Sequence, residues 1–231
     1  MPTYNIIGDI HGRTNWKGLV NEDFINIFVG DYFDPYTWTP FFKLQQNFQE
    51  IIDLKKQLPD NVILLYGNHD YEYLPGISEE SSRYDFLNAN KITELLTENE
   101  SLFHGIAYAI GERYIVTHAG ITKPWVRRYL PEAIDYQPSK MAEAINALWI
   151  SDKSAFGFRK NADLGDFYGE SVEHSPIWVR PISLGYCNIY KRTDVIQIVG
   201  HSKVDTITED LNVVFVDCLE SVAKSKRITW D

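Results

Sequence analysis

Short apolar runs alternate with polar turns along the first third of the chain. The runs occupy residues 4–7, 25–29 and 62–66, and each is followed by a turn that contains glycine. Runs of this length, bounded by glycine turns, are typical of buried strands in layered sheets. The pattern therefore predicts an α/β (α+β layered) fold built on these strands.

Other stretches have the apolar spacing of amphipathic helices. Apolar residues keep close to one face across residues 41–58, where Thr39 is predicted to cap the helix and Pro40 to lie in its first turn. Residues 139–150 repeat apolar positions three and four residues apart. Residues 78–98 are more polar, and we predict a further helix there.

The later part of the chain is predicted to form mostly strands. These strands are expected at residues 102–110, 113–118, 195–200, 213–217 and 226–230. Residues 151–185 are rich in glycine, aromatic and charged residues, which indicates an irregular segment able to cover a site. We expect a single domain over residues 1–231, with a helical insertion at about 71–101 and this cap-like segment at about 151–185.

Metal-capable side chains follow five of the predicted strands. The motifs are GDIHG, GDYFD, GNHD, THAG and GHS, in that order. In layered α/β folds the carboxyl ends of neighbouring strands share one edge, where loops can converge on a ligand. Six side chains are therefore predicted to meet: Asp9, His11, Asp31, Asn68, His118 and His201.

This set of side chains predicts a site for two metal ions. Imidazole together with carboxylate suits manganese, iron, cobalt or zinc better than calcium or magnesium. Two ions about 3.5 to 4 Å apart can activate a water molecule and bind the oxygens of a phosphate. Phosphoryl transfer also needs a proton donor, and His69 is a natural acid whose ring Asp34 could orient.

Composition limits the possible partners, the location and the cysteine chemistry of the protein. The 231 residues include 22 Lys plus Arg against 32 Asp plus Glu, and the net charge of −10 disfavours nucleic-acid partners. No basic leader opens the chain, and no stretch approaches the roughly 18 to 20 apolar residues that cross a bilayer, so we expect a soluble, cytoplasmic protein without a membrane partner. Cys187 and Cys218 have no CxxC spacing, which favours two free or buried thiols.

Taken together, the five motifs resemble the calcineurin-like metallophosphoesterase superfamily, and specifically its bacterial-type phosphoprotein phosphatase branch. The resemblance spans roughly residues 5–217 and implies a β-sandwich flanked by helices, with a dinuclear metal site at the carboxyl ends of the strands. It implies that Asp31 bridges two metals, of which manganese is the expected one and iron, zinc, cobalt or nickel are alternatives. It places Asp9 and His11 on the first metal and Asn68, His118 and His201 on the second, with His69 as the general acid and Asp34 as its partner.

One local detail favours the phosphatase branch of this superfamily. The nuclease and phosphodiesterase branches usually end in Gly-His-x-His, and Lys203 stands at the position of that last histidine. The first metal therefore lacks this ligand, as in the phosphatases.

Two departures from the phosphatase pattern bear on substrate binding. The phosphatase pattern is Gly-Asp-x-x-Asp-Arg-Gly. In this chain Pro35 and Tyr36 replace its last two residues, so one phosphate-binding arginine is missing. The third motif ends in Asp70, where glutamate is usual, and this change keeps the charge.

Other residues are predicted to bind the substrate phosphate. The Trp-x-Arg of residues 175–181 resembles a segment that supplies a phosphate-binding arginine in bacterial relatives, which makes Arg180 the candidate. Arg13 is a second candidate, and Asn68 is expected to contact the phosphate as well as a metal. A guanidinium group suits a phosphate dianion, so the loss of one of two should weaken monoester binding without removing the metals.

The expected function is hydrolysis of phosphomonoesters, similar to that of protein serine/threonine phosphatases, by direct in-line attack of a hydroxide held by the two metals. The substrate is expected to be a phosphorylated protein or a small phosphoester, and the oligomeric state stays open. Symmetric diadenosine tetraphosphatase and phosphodiesterase activities remain as alternatives, since the motif arginine is missing. A non-catalytic metal-binding scaffold is less favoured, because Asn68 and His69 are both present.

Overall fold

The computed structural model describes residues 1–79, 81–163, 166 and 168–230. Within these residues, nine strands form two mixed sheets. The strands are β1 (Thr3–Ile7), β2 (Ile25–Phe28), β3 (Val62–Leu64), β4 (Ala107–Ile110), β5 (Tyr114–Thr117), β6 (Ile196–Val199), β7 (Thr208–Asp210), β8 (Val213–Phe215) and β9 (Lys226–Thr229). The helices are α1 (Phe41–Gln57), α2 (Asn68–Tyr71), α3 (Ala89–Glu98), α4 (Lys123–Tyr129), α5 (Pro138–Ser151), α6 (Phe158–Asn161) and α7 (Pro181–Cys187).

The first sheet has the order β3-β2-β1-β9. Strands β1, β2 and β3 are parallel, and β9 runs antiparallel to β1. The register pairs Ile7 with Phe28 and Phe28 with Leu64, so the three parallel strands end side by side. The first three polar motifs therefore start from one edge of this sheet.

The second sheet has the order β4-β5-β6-β8-β7. Its central strands β5, β6 and β8 are parallel, and Thr117, Val199 and Phe215 lie in register at their carboxyl ends. The loops with the fourth and fifth motifs follow β5 and β6, and Asp217 follows β8. The two parallel sets thus present six strand ends to one region.

The two sheets pack face to face through aliphatic side chains. This core joins residues of the first sheet to residues of the second: Ile6, Ile27, Val29, Leu65 and Ile228 on one side, and Ile110, Val116, Ile198, Val214 and Val216 on the other. On the outer faces, α1 packs through Leu44, Phe48 and Ile51, and α5 packs through Ile145 and Trp149. The expected β-sandwich flanked by helices is confirmed. None of the helices in the described residues is both long and apolar enough to span a membrane.

The predicted helix at 78–98 is wrong in its first half. Only α3 forms, because the preceding residues make a turn in which Arg83 has a φ of 74°, outside the right-handed helical region. The side chain of Asp85 accepts hydrogen bonds from the backbone N–H groups of Leu87 and Asn88, so the chain turns here before α3 begins. The segment between α2 and α3 is therefore free to contribute to a site.

Two smaller expectations are also corrected. The hydroxyl of Thr39 donates to the carbonyl of Thr37 and does not cap α1, and Pro40 precedes the helix instead of lying in its first turn. The predicted strand at 102–110 is shorter, because Gly105 and its neighbours form a connection between the two sheets.

That connection positions the third motif. Gly105 accepts a hydrogen bond from the N–H of Tyr66 at 3.0 Å, directly before the GNHD loop. On its other side, the side-chain oxygen of Asn146 in α5 accepts from the N–H groups of Ile106 and Ala107 at 2.9 and 3.0 Å, and its amide donates to the Ala107 carbonyl. Asn146 therefore supports the backbone on which the third motif rests.

We expect Asn146→Ala to destabilise the fold by about 1–3 kcal/mol, because it leaves backbone groups of this connection without partners. Urea unfolding followed by circular dichroism measures the change. The matched control is Glu143→Ala, an exposed position on the same helix, which should change stability by less than about 0.5 kcal/mol. Equal stability of the two variants would show that Asn146 does not support the connection.

Candidate active site

All six predicted metal-ligand side chains are buried and lie together at the shared strand ends. They are Asp9, His11, Asp31, Asn68, His118 and His201. Asp9, Asp31 and His118 have potential ligand atoms within 4.8 Å of one another. The spatial convergence expected from the strand register is therefore observed, while the role of each residue stays a prediction.

Asp31 lies at the centre of this cluster. Its Oδ2 atom is 3.4 Å from Nε2 of His11 and also 3.4 Å from Nε2 of His118. Its Oδ1 atom accepts a hydrogen bond from the backbone N–H of His69 at 3.0 Å. One carboxylate oxygen thus anchors the third motif, and the other faces two imidazoles from different loops.

Both imidazoles are oriented through their other ring nitrogen. Nδ1 of His11 lies 2.9 Å from the carbonyl oxygen of Phe33, and Nδ1 of His118 lies 2.8 Å from that of Val29. Because a carbonyl can only accept, each Nδ1 carries the proton and each Nε2 presents a lone pair to Asp31. This arrangement is typical of metal-ligating histidines, whose second nitrogen donates to a neighbouring oxygen.

Asn68 places its side-chain oxygen between the imidazoles of His118 and His201. Its Oδ1 atom lies 2.9 Å from Nε2 of His118 and 2.8 Å from Nδ1 of His201. The backbone N–H of His201 in turn donates to both carboxylate oxygens of Asp9, at 3.0 and 3.1 Å. The loops from both sheets are therefore tied to each other within the cluster.

The electrostatics of the cluster favour cations. Burial lowers the pKa of His118 to about 3 and also lowers the pKa of His11 and His201, so all three are neutral. Burial, with the nearby carboxylates, raises the pKa of Asp9 and Asp31. Lone pairs of neutral imidazoles therefore face buried carboxylates, and bound cations would offset both the desolvation and the repulsion between acceptors. The residues present fit a divalent-metal site.

Asp70 fixes the relative position of the second and third motifs. Its Oδ2 atom accepts from the N–H groups of Asp31 at 2.7 Å and Gly67 at 2.8 Å, and its Oδ1 atom accepts from Tyr32 at 3.0 Å. Burial raises the pKa of Asp70 to about 7, against the lowering effect of these hydrogen bonds. An aspartate at this position is therefore long enough to join the two loops.

His69 and Asp34 form the expected pair next to the cluster. Nδ1 of His69 lies 2.8 Å from Oδ2 of Asp34, and the hydroxyl of Tyr73 donates to Oδ1 of Asp34 at 2.6 Å. Burial lowers the pKa of His69, while the carboxylate of Asp34 acts in the opposite direction. The imidazole is thus held with its Nε2 atom away from Asp34.

A cavity of about 540 Å³ opens next to these groups. Six of the predicted site residues line it: His11, Asp31, Asn68, His69, Arg180 and His201. Arg180 donates through Nε to the carbonyl of Tyr168 at 3.2 Å and through Nη1 to the carbonyl of His201 at 3.4 Å. The side chain predicted to bind phosphate is therefore placed at the cavity beside the cluster.

Arg13 is placed differently. Its guanidinium is paired with Glu220 at 3.0 Å and donates to the Asp9 carbonyl at 3.2 Å. Among the described residues that line the cavity, Arg13 is absent. Its predicted contact with phosphate therefore stays a prediction.

The sequence analysis missed several polar residues of the site, among them Asp217, Glu72 and Arg83. Asp217 is buried near Asp9 and Arg13 at the end of β8, and its position after an apolar strand was a signal of the same kind as the five motifs. Glu72 is buried, lines the cavity, and has a pKa that burial raises to about 8. Arg83 lines the cavity from the segment that was predicted to be helical.

Backbone strain is concentrated at this site. Among the described non-glycine residues, six have a positive φ between 42° and 74°, and five of them belong to the site: His11, Asp31, Asp34, Arg83 and His201. L-residues rarely adopt this conformation, and strained residues of this kind cluster at functional sites.

Solved structures share this fold. A cold-active protein-tyrosine phosphatase from a psychrophilic Shewanella species has a TM-score of 0.62 and 20% sequence identity, and the match covers 97% of this chain and 73% of that chain. A protein serine/threonine phosphatase from Saccharomyces cerevisiae has a TM-score of 0.53 and 15% identity, with 93% of this chain and 66% of that chain covered. No curated protein sequence matches the chain significantly.

The family comparison extends over most of the chain. The model of the family described as calcineurin-like phosphoesterase matches residues 3–212. This match covers all five polar motifs and all six clustered side chains. It confirms the resemblance inferred from the motifs: the chain belongs to the calcineurin-like phosphoesterase family, whose members hydrolyse phosphoric esters with divalent metals.

Proposed function

We propose that this chain is a phosphomonoesterase of the phosphoprotein phosphatase branch, acting on phosphorylated proteins or small phosphoesters with two divalent cations. The observation that carries the proposal is the position of Asp31, whose Oδ2 atom is equally far from Nε2 of His11 and of His118. The paired side chains of His69 and Asp34 lie at the same cavity. The proposed metal ligands and the proposed proton donor thus lie next to the same cavity.

The proposed metal ligands follow from this geometry. Asp9, His11 and Asp31 would hold one ion, and Asp31, Asn68, His118 and His201 would hold the other. Manganese is the proposed metal, with iron, zinc, cobalt or nickel as alternatives, because the set combines imidazoles with carboxylates. When bound, such a pair of ions supplies an activated water and positive charge for the phosphate oxygens.

His69 is proposed to protonate the leaving oxygen. Its Nδ1 atom is held by Asp34, which fixes the ring and stabilises the charged imidazolium that a general acid requires. Its Nε2 atom lies on the opposite side of the ring from Asp34. Asp34 is in turn held by Tyr73, so the orientation of this pair does not depend on substrate.

The rest of the cavity supports a bulky phosphoester. Arg180 supplies positive charge for a phosphate group, and Phe158, Tyr168 and Trp178 supply aromatic surface. At about 540 Å³ the cavity is also large enough to admit a nucleoside, and aromatic walls can stack a base. Symmetric hydrolysis of diadenosine tetraphosphate is therefore retained as the second candidate function.

The experiment that tests the proposal compares substrates with the manganese-loaded protein. We expect faster turnover of p-nitrophenyl phosphate than of bis(p-nitrophenyl) phosphate or diadenosine tetraphosphate, and loss of activity on chelation that manganese restores. Preference for the dinucleotide would establish the second candidate function instead. Binding of two metals without turnover of any substrate would refute an enzymatic role.

The space around Asp31 offers a sharp test of the proposed metal site. A Cβ atom on Gly67 would lie 2.1 Å from Oδ1 of Asp31 and 2.8 Å from Cε1 of His118, so Gly67→Ala must displace the proposed ligands. We expect this variant to bind less manganese, which metal analysis measures. Its activity should fall at least about 100-fold, measured as turnover of p-nitrophenyl phosphate. Gly185→Ala is the matched control, because a Cβ atom there meets no atom within 4 Å, and it should retain both. Normal metal content in Gly67→Ala would contradict the proposed coordination.

The role of His69 is tested by varying the leaving group. His69→Asn should keep the metals but reduce kcat, by about 100-fold or more for alkyl phosphates and less for p-nitrophenyl phosphate, since a nitrophenolate leaves without protonation. Rates for a series of phenyl phosphates of different phenol pKa measure this difference. An equal loss across the series would argue against proton donation by His69.

A further inference from the structure

We propose that Arg83 binds the phosphoryl group of the substrate and takes the place of the motif arginine that Pro35 replaces. This inference rests on the proposed function and adds to it a specificity-determining residue from outside the family motifs. Arg83 comes from the segment between α2 and α3, nearly fifty residues after the motif in which the arginine is missing.

The guanidinium of Arg83 lies against the backbone of the altered motif. Its Nη1 atom donates to the carbonyl oxygen of Asp34 at 2.6 Å. That carbonyl belongs to the peptide bond that leads into Pro35, the position from which the motif arginine would extend. Arg83 therefore brings a guanidinium charge next to the altered motif from a different place in the sequence.

Arg83 also contacts the proposed general acid. Its Nη2 atom lies 3.0 Å from Nε2 of His69, the nitrogen that Asp34 leaves available. A phosphate group next to His69 would lie within reach of this nitrogen, so Nη2 can exchange the imidazole for a phosphate oxygen. The exchange also frees Nε2 of His69 for the leaving oxygen.

Tyr36, the second departure from the motif, supports the guanidinium. The Cζ atom of Arg83 lies 3.7 Å from the centre of the Tyr36 ring, a close cation–π contact. Stacking on an aromatic face leaves the edge of a guanidinium free for bidentate contacts with phosphate. The two substitutions in the motif thus belong together, since Pro35 removes one arginine and Tyr36 supports another.

The loop that carries Arg83 is held in place. Tyr84 stacks on Tyr73 with ring centres 4.5 Å apart, and the N–H of Asp85 donates to the Tyr73 hydroxyl at 2.7 Å. The same hydroxyl donates to Asp34, so the residues after Arg83 are tied to the altered motif. Arg83 has a positive φ, which is an unfavourable backbone conformation for this residue. Such a conformation persists only where the surrounding contacts hold it in place.

The charge of Arg83 is available for a ligand. A guanidinium has five N–H donors, and the two contacts described leave three of them for other acceptors. The arginine ion pairs formed within the described part of the chain involve Arg13 and Arg128, whereas Arg83 and Arg180 pair with no carboxylate there. Arg83, Arg159 and Arg180 all line the cavity, so guanidinium groups remain available to the substrate phosphate despite Pro35.

Arg83→Ala tests this role in the manganese-loaded protein. We expect KM for p-nitrophenyl phosphate and the inhibition constant of inorganic phosphate to rise about 10- to 100-fold, the loss expected for a charge-assisted hydrogen bond. Metal content should stay unchanged, and turnover of the diester should fall less, because a diester presents fewer charged oxygens. Arg83→Lys should restore only part of the affinity, since an ammonium lacks the planar fork.

The matched control is Arg192→Ala, which removes an exposed arginine and should change neither constant. Unchanged inhibition by phosphate in Arg83→Ala would overturn the proposal. An equal loss of activity toward monoester and diester, accompanied by loss of bound metal, would overturn it as well. Calorimetric titration with inorganic phosphate separates this test from the test of activity. If the wild type turns over no substrate but binds phosphate more tightly than Arg83→Ala, the proposed function fails while the role of Arg83 in phosphate binding stands.

Discussion

The site depends on the carboxylate of Asp70, which joins two loops. It accepts three backbone N–H groups, two from the second motif and one from Gly67 at the start of the third. Burial alone would favour its neutral form, and the hydrogen bonds counteract this by stabilising the charge. Because one oxygen of Asp70 serves both Asp31 and Gly67, the central carboxylate of the cluster lies at a fixed distance from the asparagine and histidine that follow.

The cluster also depends on the packing of the two sheets against each other. The imidazole of His118 starts from the second sheet and donates to the carbonyl of Val29, directly after β2 of the first. His201, from the next strand of the second sheet, donates through its backbone to Asp9 of the first. The aliphatic layer between the sheets therefore sets the spacing of the ligands, and the polar contacts at its edge select their orientation.

The strands and the side chains at their ends could be predicted from the sequence, because they follow from its periodicity. The segment between α2 and α3 could not, because its conformation depends on tertiary contacts. The fold class and the meeting of six side chains were predictable because parallel strands in register end at one edge. The expected helix does not form across the described residues 81–88, since side chains such as Ser81 and Asp85 bond to groups outside a helix. For the same reason Arg83 could not be found from a motif, because its place beside Asp34 is set by the stacked tyrosines and by a strained turn.

The five strained residues of the site have a consequence for the stability margin of the whole molecule. Each non-glycine residue with positive φ costs on the order of 1 kcal/mol or more, so the set amounts to roughly 5 kcal/mol, as much as the entire net stability of many domains. Glycine or asparagine would relieve this cost at most of these positions, but neither supplies an imidazole, a carboxylate or a guanidinium. Selection for heat tolerance in such a chain must therefore act on the sandwich core and the outer helices, while the strained loops stay as they are.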